Sequence, residues 1–84
     1  MIPFPEGATI RDLYEAAVKI TDQQEADEYL ESLVHWSVDK GMAPAEAELL
    51  HRRNLGYYAG YYDNETMRRV NRLFRTTHPV FGGV

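Results

Sequence analysis

The chain has 84 residues, with thirteen Asp and Glu against nine Lys and Arg for a net charge of −4 at pH 7, a size that holds one small domain over residues 1–84. At 44% hydrophobic and 26% charged it is too apolar for a disordered chain, and its charges recur too often for the roughly 20 apolar residues of a membrane span. With no cysteine there is no disulfide, thiolate metal site or cysteine nucleophile.

The elements follow in chain order. Met1-Ile2-Pro3-Phe4-Pro5 lacks the basic start and apolar run of a signal peptide, so the expected compartment is the cytoplasm. Pro3 and Pro5 predict an extended arm with Ile2 and Phe4 as anchors. Thr9 with Asp12 three residues on resembles a capping box, and Ile10, Leu13, Tyr14, Ala17 and Val18 then recur at helical spacing. Thr21 or Asp22 starts a second helix, whose apolar face runs through Ala26, Tyr29, Leu30, Leu33, Val34 and Ser37 to an end near Lys40, with Gly41 as terminator. Pro44 suits the first position of a third helix reaching about Tyr62. Asp63 or Asn64 caps a fourth from Glu65 to about Thr76, with Met67, Val70, Leu73 and Phe74 inward. His78 before Pro79 begins a second extended arm able to set Val80 and Phe81 on the surface. No period-2 alternation or internal repeat is present, so the expected fold is all-α, a small four-helix bundle with extended N- and C-terminal arms.

Charge is divided along the chain. Residues 1–48 hold eleven acids and three bases, a net of −8, and residues 49–84 hold six bases, all arginine, and two acids, a net of +4. Either the halves attract each other, within one molecule or between two, or the basic half meets an anionic partner.

The third helix breaks a local rule. Asn54-Leu55-Gly56-Tyr57-Tyr58-Ala59-Gly60-Tyr61-Tyr62 sets two glycines into a predicted helix, each costing about 0.8–1 kcal/mol against alanine. Gly56, Ala59 and Gly60 form a small-residue stripe along which another backbone can approach, and Tyr57, Tyr58, Tyr61 and Tyr62 flank it as i, i+4 pairs. Tyrosine combines large apolar area with a hydroxyl that needs a partner, a pairing enriched at interfaces. Three uses fit: tight packing inside one molecule, contact between copies, or a surface on which bases stack.

The segment NLGYYAGYYDNETMRRVNRLFRTTHPVFG, residues 54–82, resembles the carboxy-terminal signature of a family of small bacterial and phage proteins without an assigned activity. The resemblance implies a complete small protein and assigns no catalytic residue.

Arg68, Arg72 and Arg75, at i, i+4 and i+7 with Arg69 beside them, form a stripe able to track phosphates. Against this, the isoelectric point of about 5.2 is far from that of a basic nucleic-acid-binding domain. Glu48 and His51 have Glu-x-x-His spacing, and Glu31 with His35 repeats the theme at i, i+4. Were the second and third helices to pair antiparallel, these four side chains would approach one another as a candidate metal set, although a di-iron site would need a symmetric dimer to complete it. Ser32 and Ser37 lack a nucleophile elbow and no glycine-rich phosphate loop is present, so no catalytic residue and no cofactor is expected. The leading expectation is a non-enzymatic interaction module that self-associates, first of all as a dimer. A nucleic-acid-associated regulator of phage type and a dimeric Glu/His metal-binding bundle are its alternatives.

Overall fold

A computed structural model describes residues 3–76. Its helices are α1 (Ile10–Ala17), α2 (Gln23–Val38), α3 (Pro44–Ala59) and α4 (Asn64–Phe74), with no strand among the described residues. The protein is therefore all-α, with two short and two longer helices as the sequence predicts.

Each helix starts where a short polar side chain, or a proline, meets the unpaired amides of the first turn. The Thr9 hydroxyl accepts from Asp12 N at 3.2 Å while Thr9 N donates to the Asp12 carboxylate at 3.1 Å, a reciprocal capping box. Asp22 and Asp63 accept from Glu25 N and Thr66 N at 3.0 and 2.8 Å. That bond to the Thr66 amide, with the Thr66 side chain assisting, holds the Asp63 carboxyl below its ordinary pKa. α3 has no side-chain cap, and Pro44 occupies its first turn, where the missing N–H has no partner to lose.

The ends are set differently. After α2, Met42 N donates to Ser37 O and Gly41 N to Val38 O, at 3.1 and 2.9 Å. This is a Schellman closure whose left-handed position, φ 106°, falls to Gly41. α4 ends the same way on a non-glycine: Arg75 sits at φ 46°, and the helix stops at Phe74, two residues before the expected limit near Thr76.

α3 stops at Ala59, three residues before the predicted Tyr62. Gly60, Tyr61 and Tyr62 donate instead to the carbonyls of Tyr57, Tyr58 and Ala59, at 3.1, 3.1 and 3.0 Å. These tighter i to i−3 bonds reverse the chain ahead of the Asp63 cap. Gly60 is thus the C-cap and Gly56 alone is interior to the helix, so the helix carries about 1 kcal/mol of glycine penalty instead of two such terms.

α2 and α3 run antiparallel and make the most extensive helix contact, followed by α3 with α4. The core gathers Leu13 and Val18 from α1 and its end, Leu30 and Leu33 from α2, Leu55 from α3, and Val70 and Phe74 from α4. The amino-terminal arm closes one side, with the Phe4 ring 5.3 Å from that of Tyr29, whose hydroxyl donates to Leu13 O at 2.8 Å. Ile2 and the predicted carboxy-terminal arm with His78, Val80 and Phe81 lie outside the described residues.

Candidate interaction surface

α3 has two faces of opposite chemistry. Ala47, His51, Leu55 and Ala59 recur every four residues and are all buried. His51 therefore lies where an aliphatic residue would be expected, and a buried imidazole needs partners for both nitrogens. It finds them on two other helices: Tyr14 Oη of α1 lies 2.8 Å from Nδ1, and Ser37 Oγ of α2 lies 2.6 Å from Nε2. Both hydroxyls can donate or accept, so either neutral tautomer is satisfied. Burial pushes the His51 pKa below its ordinary value, opposed more weakly by the Leu33 backbone carbonyl. Burial likewise pushes the Tyr14 hydroxyl up to about 12, with the Asn54 side chain acting against it. The resulting chain Tyr14–His51–Ser37 is a neutral polar clasp across three helices.

This arrangement separates the predicted metal set. His51 turns inward, whereas Glu31 and Glu48 flank a surface groove together with Asp27, Arg52 and Arg75, and His35 is exposed on α2. Glu48 is engaged by Arg52, one turn on, at 2.9 Å. The antiparallel pairing of α2 and α3 holds, but His51 is buried among the core helices while Glu48 stays at the surface groove. Among the described residues no group of three or more His, Asp or Glu side chains is placed to hold a metal ion.

The arginine stripe is likewise divided. Arg69, which the sequence leaves beside the stripe, reaches back to the end of α1, donating from its guanidinium to Ile20 O at 3.1 Å and Val18 O at 2.6 Å. A cation on those carbonyls also meets the negative end of the α1 dipole. Arg75 faces Asp27 across an exposed 3.8 Å pair, which links the basic and acidic halves of one molecule. Arg68 and Arg72 are exposed and make no ion pair among the described residues.

The predicted small-residue stripe also parts in two. Gly56 is buried with Leu55 and Ala59, and Gly60 is exposed at the helix end. Of the flanking tyrosines, Tyr58 leans inward, its ring 5.8 Å from Tyr14 and 5.8 Å from Tyr62. Tyr58, Tyr61 and Tyr62 line a groove with Ile10 and Tyr14 of α1, bordered by Arg11 and Glu15. Tyr57 is 52% exposed and Tyr61 89%. Leu49, 59% exposed, lies on the outward face of α3, beside Met42, Glu46, Leu50 and Arg53. The sequence reading missed Leu49, although its displacement from the inward spacing of Ala47, His51 and Leu55 was the available signal.

The fold and surface define a small all-α protein with an exposed aromatic and aliphatic helix face. Comparison with protein-family models, with curated proteins and with solved structures finds no match. No helix among the described residues is long and apolar enough to cross a membrane.

Proposed function

We propose that the protein is a non-enzymatic interaction module that associates with a second copy of itself through the outward face of α3 and the turn that follows it. One observation supports this above the others. Among the described residues, the large exposed apolar side chains are Ile10, Leu49, Tyr57, Tyr61 and Tyr62, and all but Ile10 belong to α3 or its terminal turn. Single exposed apolar residues are ordinary on any surface, but two on the outward side of α3 followed by two more in the turn beyond it favour a contact face there. Its makeup, aromatic with methionine and arginine nearby, is that of an interface centre and rim.

Sedimentation equilibrium tests the reading. At tens of micromolar the wild-type chain is expected to show twice its 9.7 kDa monomer mass. Tyr61→Ser, at a position that packs little in the monomer, is expected to weaken association while leaving helicity unchanged. A monomer mass throughout that range removes the proposal.

A further inference from the structure

Seven residues apart on α3, Glu46 and Arg53 lie on one side of the helix, because seven residues make almost two full turns. Leu49 and Leu50 lie between them, and together with Met42 these residues surround one shallow surface depression. Neither Glu46 nor Arg53 makes an ion pair among the described residues. The order acid, aliphatic pair, base is self-complementary under a two-fold axis, which brings each residue opposite one equally distant on the other side of the axis.

We infer that two copies pair antiparallel along α3 about an axis between Leu49 and Leu50, with each Glu46 meeting Arg53 of the second copy. This rests on the self-association proposed above and specifies its geometry. The leucines of the two chains form the dry centre. The two symmetric charge pairs close its edges, and Met42 comes opposite Tyr57 of the second copy. A shallow crossing of about 20° keeps those flanking side chains within reach. A parallel pairing would set Glu46 against Glu46 and Arg53 against Arg53, so the charges select direction as well as partner.

Charge reversal tests the arrangement. Glu46→Arg and Arg53→Glu each turn both cross-pairs repulsive, and each alone is expected to weaken self-association by about tenfold or more. Mixed in equal amounts, the two variants regain both attractive pairs, so a heterodimer of near wild-type affinity is expected. Both positions are exposed, and circular dichroism of each variant establishes that the fold is retained. A wild-type dimer indifferent to either reversal, or reversals that weaken association without recovery on mixing, overturns this geometry and leaves self-association standing. A monomeric wild-type chain overturns both.

Discussion

Replacing His51 by alanine is expected to cost about 3–5 kcal/mol, read as a loss of the unfolding midpoint in urea or on heating. Emptying a buried site of this size leaves a cavity, a loss of about 2–5 kcal/mol for large aliphatic residues. It also strands the hydroxyls of Tyr14 and Ser37, which lie 2.8 and 2.6 Å from the ring nitrogens, and each orphaned polar group costs about 1–3 kcal/mol unless water enters. A domain this small has about 4–13 kcal/mol in all, so His51→Ala should be near its unfolding threshold at 37 °C. Tyr14→Phe and Ser37→Ala, which each remove one hydroxyl and keep the ring, should cost less.

The same residue sets a pH dependence. Because burial depresses the folded-state pKa below the 6.5 of the unfolded chain, the unfolded state binds the proton more readily. Above about pH 6.5 His51 is neutral in both states and contributes no slope. As pH falls below that value, stability declines by up to about 1.4 kcal/mol per unit until the folded pKa is reached. His51→Gln keeps a donor and an acceptor without a titrating ring, so its stability should be flatter than wild type between pH 6.5 and 5. Equal slopes in the two proteins would show that the imidazole is not the group responsible.

Arg69→Met is expected to cost about 2–4 kcal/mol, against changes within about 0.5 kcal/mol for Arg68→Met and Arg72→Met. Methionine preserves most of the apolar stem. What is lost is the pair of charge-assisted bonds to Ile20 O and Val18 O, each worth about 1.5–3 kcal/mol, with partial exposure reducing the sum. These bonds tie α4 to the end of α1. Urea midpoints of the three variants decide the point: equal, small losses would mean that the contact with α1 contributes little in solution.

These two residues mark the limit of what can be read from the chain. Local signals were legible: Thr9 with Asp12, Asp22 and Asp63 all cap as their spacing predicts, and Gly41 takes the left-handed turn that only glycine adopts without strain. The inward faces of α1, α2 and α4 were legible too, apart from Ile10, which is exposed at the start of α1, because helical periodicity requires no knowledge of the partner helix. Where α3 ends was misjudged: Gly60 is a stop signal, but beside Gly56 and Ala59 it reads equally as part of a small-residue helical stripe, and in the packed structure it caps α3. The chain reverses there because α4 must fold back on α3. The partners of His51 and Arg69 lie 14 to 51 residues away in sequence, and a spacing rule confined to one helix suggested metal ligation for the first and left the second beside a phosphate stripe. Of the candidate interface, the tyrosines were legible as an aromatic cluster. The division of Gly56 to the interior and Gly60 to the helix end required the packed structure.

The claim that the outward face of α3 is a contact between two copies is tested most directly by placing a single cysteine in a chain that has none. Leu49→Cys sits beside the inferred two-fold axis, so the inferred pairing brings the two thiols near each other, as a disulfide with its short Cα separation of about 4.4–6.8 Å requires, whereas Gln24→Cys lies exposed on α2. Under mild oxidation at tens of micromolar, Leu49→Cys should convert to a covalent dimer while Gln24→Cys stays monomeric. No covalent dimer at position 49, or the same extent of crosslinking at both positions, would contradict the account.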